Sequence, residues 1–141
     1  MSKVAVIYWS GSGNTEAMAR FVLEGALNAG AAADLFDAEH APGDAIGGYD
    51  AVALGCPSMG AEQLEESVFE PMFEGLKPSL SGKKVALFGS YGWGDGEWMR
   101  TWEEDCAATG ITLATPSVIC NEAPDETAAA ACRALGQAIA Q

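Results

Sequence analysis

Residues 4–15 read Val4-Ala5-Val6-Ile7-Tyr8-Trp9-Ser10-Gly11-Ser12-Gly13-Asn14-Thr15. The first six are apolar or aromatic without a break, the pattern of a parallel strand buried on both faces. A helix pattern starts at Asn14, with Met18, Phe21, Val22 and Ala26 at i, i+3, i+4 and i+8. Between them lie three hydroxyls (Ser10, Ser12, Thr15) and two glycines (Gly11, Gly13). A glycine-rich turn from a strand into a helix presents a row of backbone N–H groups to an anion. The loop carries no Lys or Arg, so neutral donors and the helix dipole must hold that anion. This points to a permanently bound monophosphate.

The same alternation continues along the chain. Strands are expected at 3–9, 33–36, 50–56 and 84–89, and a fifth at 111–114 and 117–120, interrupted at Thr115-Pro116. Proline belongs at a sheet margin, so this last strand should be an edge. Helices are expected at 14–29, 66–76, 97–108 and 125–140, with a short helix in the Gly/Pro loop 41–48. Gly30 and Gly110 are natural helix stops, Asp125 a natural cap, and Pro71 should kink the second helix. Strand–helix alternation with short links gives a parallel sheet with helices on both faces, and 141 residues suit one domain, 1–141. Ligands of such sheets bind outside the carboxyl ends of the strands. There the phosphate loop should meet two others, Pro57-Ser58-Met59-Gly60-Ala61-Glu62 and Ser90-Tyr91-Gly92-Trp93-Gly94.

The net charge is −13, from 7 basic and 20 acidic residues, which excludes nucleic acid as a partner. Acids gather after strands (Glu62, Glu65, Glu66, Glu70, Glu74; Asp95, Glu97; Glu122, Asp125, Glu126) and Lys3, Lys83 and Lys84 sit where strands begin. Glu65 and Glu66 are expected to belong to an exposed, steering acidic rim. Cys56, Cys106, Cys120 and Cys132 show no CxxC pairing, so free buried thiols in a reducing compartment are expected, with no metal site. The opening residues have no secretory apolar stretch, and no run is long enough to span a bilayer. A cytoplasmic protein is therefore expected. The single His40 lies in a polar loop, which argues against a histidine-based catalytic centre.

Other phosphate loops fail on specific residues. A dinucleotide fingerprint lacks its third glycine, and a Walker loop lacks Gly-Lys-Ser/Thr. A nucleophile elbow around Ser12 would need glycines where Ser10 and Asn14 stand. Trp93, held between Gly92 and Gly94 on a loop, could cap an apolar edge or stack on a planar ligand. Stacking is favoured because Met59 lies on the facing loop and could cover the other side. Trp98 and Trp102, spaced i and i+4, are expected in the core or half-buried, and Trp9 is expected to pack structurally rather than lean on the crevice rim.

These residues carry a resemblance. Ser10-Gly-Ser-Gly-Asn-Thr15 after an N-terminal strand resembles the phosphate loop of flavodoxins. Met59-Gly60-Ala61-Glu62 and Tyr91-Gly92-Trp93-Gly94-Asp95 are similar to the two isoalloxazine loops of the short-chain flavodoxins of anaerobic bacteria. The likeness covers the whole chain. It implies a doubly wound five-stranded parallel sheet of order 2-1-3-4-5, flavodoxin itself being the standard example of that order with FMN at its switch point.

The resemblance implies tightly but non-covalently bound FMN. Ser10, Gly11, Ser12, Gly13, Asn14, Thr15 and Ser90 would hold the phosphate, with Ser58 beside the ring. Trp93 and Met59 would flank its faces, Glu62 would accept from ring N3–H, and the backbone around Tyr91, Gly92 and Gly94 would reach the pyrimidine edge. Gly60 would be the redox switch: after one-electron reduction the Gly60–Ala61 peptide turns its carbonyl toward the protonated N5. The implied function is a low-potential electron carrier shuttling between semiquinone and hydroquinone, monomeric and not an enzyme. It would meet basic redox proteins such as reductases and ferredoxin-linked oxidoreductases transiently, and no membrane. The alternative is an FMN-dependent NAD(P)H:quinone oxidoreductase of the same fold.

Overall fold

The strand runs alternate their side chains between two cores. In the first strand, β1 (Lys3–Tyr8), Val4 and Val6 face one layer and Ala5 and Ile7 the other, all four fully buried. Two-sided burial of this kind requires helices on both faces of a parallel sheet. In the computed structural model, which describes residues 2–141, the remaining elements in chain order are α1 (Asn14–Asn28), β2 (Ala32–Asp37), two 3₁₀ segments (Ala38–His40 and Gly43–Gly48), β3 (Ala51–Gly55), α2 (Phe69–Leu80), β4 (Lys84–Tyr91), α3 (Glu97–Ala108), β5 (Val118–Asn121) and α4 (Glu126–Ala140). The five strands form one parallel sheet of order β2-β1-β3-β4-β5, as expected, with β5 at its edge.

One face of the sheet carries Ala51, Ala53 and Ala86 against Met18 and Val22 of α1 and Leu135 and Ile139 of α4. The other carries the larger Val52, Leu54, Val85 and Leu87 against Phe69 and Phe73 of α2 and Trp98 and Trp102 of α3. Trp102 meets both phenylalanines edge-on, at centroid distances of 5.5 and 5.8 Å, a favoured aromatic geometry. Trp98 and Trp102 are core residues, as expected. Cys56, Cys106 and Cys132 are buried, and all four thiols are free. Among the described residues no helix is long and apolar enough to cross a membrane, and no cluster of acidic, His and Cys side chains could hold a metal.

Two expectations are corrected. Residues 111–114 do not extend the fifth strand. The Ile111 N–H donates to Cys106 O and the Gly110 N–H to Ala107 O, with Gly110 left-handed at φ 81°. This is a Schellman closure of α3, and it takes Ile111 out of strand pairing. The sheet is met there by an isolated bridge from Leu113 to Val85, in which the Ala114 N–H donates to Val85 O at 2.8 Å. The second helix begins at Phe69, not at 66, and runs on to Leu80. Pro71 therefore lies in its first turn, where a missing N–H breaks no helical bond, and causes no kink.

Helices α1 and α4 touch backbone to backbone. A Cβ on Gly136 would run into the Val22 carbonyl, and one on Gly25 into Arg133 O. Neither neighbour is a flexible side-chain end that could move aside. Gly136→Ala should therefore lower the unfolding free energy of the apoprotein by about 2–3 kcal/mol, read as a fall in the urea midpoint at unchanged m-value. An unchanged midpoint would show that the helices separate freely.

Candidate functional site

All parallel strands end on one side of the sheet, and their following loops meet there. Main-chain hydrogen bonds continue past the strand ends. Trp9 N–H donates to Gly55 O, Ser58 N–H to Ser90 O and Glu122 N–H to Tyr91 O, at 2.8–3.0 Å. The loops are thus bound to one another at their roots and enclose a cleft of about 490 Å³, a size typical of small-molecule sites. Gly11, Ser12 and Asn14 line it from the first loop, Ser58 and Met59 from the second, and Ser90, Tyr91 and Gly92 from the third. No Lys or Arg is among the lining residues.

At the first loop, α1 starts from Gly13 at φ 96° with no side-chain cap. Ser10 Oγ instead accepts from Gly13 N–H and Glu16 N–H, at 3.0 and 3.3 Å. Its hydroxyl shapes the loop from behind, and the Asn14 and Thr15 N–H groups at the helix start remain without an intrahelical acceptor. Thr15 Oγ1 and Ser90 Oγ lie 2.8 Å apart, both buried, so a hydroxyl pair ties the first loop to the third beneath the cleft. Ser12, Asn14, the free N–H groups and the α1 dipole suit a phosphate.

The second loop is a tight turn. Met59 and Gln63 exchange both backbone hydrogen bonds, at 2.8 and 2.9 Å. Gly60 and Glu62 between them are left-handed, at φ 52° and 53°. Gly60 lines a shallow depression beside the cleft with Met59 and Gln63, while Ala61 is exposed. Glu62 Oε1 accepts from Glu97 N–H at 3.2 Å, a carboxylate at the N-terminus of α3, and a Cβ on Gly94 would overlap that carboxylate. Glu62 therefore bridges the second and third loops. Trp93 is 63% exposed and does not line the cleft in this structure. Gly92 beside it has open space around its Cβ position.

Glu65 corrects the expectation of an exposed rim residue: it is only 6% exposed. Its carboxylate accepts from the N–H groups of Ser67, Val68 and Phe69, at 3.0, 2.8 and 2.8 Å, and from the Ser67 hydroxyl. Burial alone would raise its pKa, but these hydrogen bonds outweigh it and hold the carboxyl below its ordinary value. Glu66 is exposed. Three further residues line the cleft: Trp9, expected to pack structurally, Pro57, which opens the expected second loop without an assigned role, and Glu122. Trp9 packs its ring against the Gly11 position, 3.1 Å from a Cβ there. Glu122, left-handed at φ 59°, could have been found by applying the strand-end rule to the fifth strand.

Comparisons with known proteins agree on one family. Residues 6–136 match the model of the family described as Flavodoxin. A flavodoxin of Megasphaera elsdenii is 47% identical over 138 residues, 98% of either chain. A flavodoxin of Clostridium beijerinckii is 47% identical over 122 residues, covering 86% of this chain and 88% of that one. The solution structure of the two-electron reduced M. elsdenii flavodoxin matches at a TM-score of 0.89 and 47% identity, covering 97% of this chain and 98% of that one. A flavodoxin from the domain Archaea matches at 0.87 and 29% identity, covering 98% and 96%.

Glu65 generates a pH prediction. Its folded pKa lies below the unfolded value, so it contributes stability above the unfolded pKa, lost as pH falls through the folded one. Glu65→Gln should therefore unfold at lower urea than wild type at pH 7, with the gap closing as pH falls below the ordinary glutamate range, about 4.3. A gap constant from pH 7 to pH 3 would refute an ionised role.

Proposed function

The chain belongs to the flavodoxin family, in its short-chain form, and from that premise we propose that it is a low-potential one-electron carrier. It binds FMN non-covalently, works between the flavin semiquinone and hydroquinone, and turns over no substrate of its own. The observation that carries this reading is the cleft at the ends of β1, β3 and β4. It joins a cation-free anion cradle at the start of α1 to a Met-Gly turn and a Trp-bearing loop.

In this reading Ser12, Asn14, Ser90 and the Asn14 and Thr15 N–H groups hold the phosphate. Ser10, Gly11, Gly13 and Thr15 shape the cradle, and Ser58 lies at the ring. Met59 covers one face of the isoalloxazine and Trp93 folds from solvent onto the other. The backbone of Tyr91, Gly92 and Gly94 reaches the pyrimidine edge. Glu62 serves the same edge by exchanging its long 3.2 Å contact with Glu97 N–H for ring N3–H. The Gly60–Ala61 peptide turns its carbonyl toward N5 when that atom is protonated.

The cofactor supplies the electron chemistry and the protein tunes it. Four of the seven bases are matched locally with carboxylates: Arg20 with Glu16, Lys77 with Glu74 and Asp105, Arg100 with Asp95, and Arg133 with Glu24. Lys3, Lys83 and Lys84 lie at the opposite end of the sheet, at the strand starts. Negative charge added at the cleft meets Glu62 and Glu122 with no cation among the lining residues, so the second electron is driven to low potential. The acidic rim steers basic redox proteins, such as reductases and ferredoxin-linked oxidoreductases, into transient contact. The carrier works as a monomer in the cytoplasm.

The test is binding followed by reduction. The apoprotein should take up FMN about a hundredfold or more better than riboflavin, since at least two charge-assisted hydrogen bonds are at stake. Ser12→Lys should not improve it, because the loop must close on the phosphate. The yellow holoprotein should turn blue on partial dithionite reduction and show negligible quinone turnover with NAD(P)H. Equal affinity for the two flavins would overturn the cradle.

A variant isolates the switch. Gly60 sits at φ 52° with nothing nearer its Cβ position than Gln63 Nε2 at 3.9 Å, so strain rather than space opposes a side chain. Where the turned peptide also requires φ above 0°, Gly60→Ala should make that conformation costlier by roughly 1 kcal/mol, close to the ~1.4 kcal/mol of a tenfold change. In a spectroscopic redox titration the maximal half-reduced fraction should fall by more than the affinity for oxidised FMN. The first potential should drop while the second holds or rises. An unchanged half-reduced fraction would assign its stabilisation to another group.

A further inference from the structure

The Met59–Gln63 turn needs fixed ends if the Gly60 peptide is to have two defined orientations rather than many. On its N-terminal side the chain is held by Cys56 N–H to Phe88 O and Ser58 N–H to Ser90 O. Cys56 O also accepts the Trp98 indole N–H at 3.1 Å. On its C-terminal side the first main-chain tie after Gln63 is Glu65. The Glu65 N–H donates to the buried Cys56 thiol sulfur at 3.4 Å, which draws residues 57–64 into a loop closed at its neck. The Glu65 carboxylate then takes three backbone N–H groups at the start of α2, and its carbonyl takes a fourth, from Glu70 at 2.9 Å. The cap residue of α2, Val68, provides no side-chain cap, so Glu65 supplies it from three residues upstream.

We propose that Glu65 is a positioning residue for the flavin loop: it clamps the neck of residues 57–64 between Cys56 and the N-terminus of α2, and so limits the freedom of the chain to the Gly60–Glu62 segment. This rests on the reading of the cleft as a flavin site. A glutamine at 65 keeps the shape and one acceptor oxygen but puts an NH₂ against backbone donors, leaving buried N–H groups unpaired. The neck loosens, and the loop acquires conformations that neither face the ring nor present the Gly60 carbonyl.

The experiment compares wild type, Glu65→Gln, Ser67→Ala and Glu104→Gln, the last an exposed acid on α3. Ser67 is exposed, and its alanine variant removes only one donor to Glu65, so it folds and gives a graded version of the effect. Amide hydrogen exchange is read on the apoproteins, and FMN dissociation constants and maximal half-reduced fractions on the holoproteins. Glu65→Gln should speed exchange across residues 60–64, weaken FMN about tenfold and lower the half-reduced fraction. Ser67→Ala should do the same to a smaller degree, and Glu104→Gln should do none of it. Faster exchange confined to 67–70, with FMN affinity and half-reduced fraction unchanged, would reduce Glu65 to a helix cap and overturn the proposal. A wild-type apoprotein that takes up no flavin would instead sink the reading of the cleft, and the exchange pattern over 60–64 would still decide the clamp.

Discussion

The pairing of β1 with both β2 and β3 is the constraint on which the site depends. From β1 the chain leaves through α1, on the alanine-lined face of the sheet, and returns as β2 on one side of β1. From β3, on the other side of β1, it leaves through α2 on the opposite face. Two adjacent strands therefore send their following loops apart, and a crevice opens between them. The phosphate cradle and the Met59 turn form its walls, and the loops after β4 and β5 complete it. The loops of the cleft are held by a register set elsewhere, in cross-strand pairs such as Val52 with Val85 and Val6 with Ala53, all fully buried.

The strands and their order of succession were legible because two-sided burial leaves an unbroken apolar run, which is hard to mistake. What failed were places where a backbone group is satisfied across a boundary. Ile111 has strand chemistry, yet its N–H is spent on closing α3. Glu65 reads as one acid among five, yet its carboxylate is consumed by a helix that starts four residues later. The visible signal was weak: an acid shortly before an apolar pair, Val68-Phe69, that opens a helix. Of the candidate site, the residues next to the strand ends were legible, because the sheet alone positions them. Trp9, Pro57 and Glu122 also stand at strand ends, but their residue types gave no sign of an anion or planar ligand.

The site divides into a firm half and a pliant half. The cradle is preorganised: Ser10 caps its loop from behind, and the buried Thr15–Ser90 pair locks it to the third loop. The side of the Met59 turn is held at its margins, by Glu62 over α3, by the exchange between Met59 and Gln63, and by Glu65 at the neck of the loop. Trp93 stands in solvent between two glycines. An exposed indole carries a standing hydrophobic cost that burial against a planar ligand relieves.

That division has a consequence for the proposed carrier. Groups that bind equally well in every redox state raise affinity without moving a potential, just as uniform binding raises no rate. A rigid cradle far from the ring can do only this, beyond the charge of the phosphate it holds. Potentials shift only where the protein's contacts differ between states, and differential contact needs a segment with two arrangements of similar energy. The proposed switch puts Gly60, left-handed and unobstructed, in such a segment. Its usefulness depends on the chain around it not moving, since a loop that relaxes everywhere averages the difference away. On that reading, a buried carboxylate that fastens one end of the loop is as much a part of the tuning as the glycine proposed to turn within it.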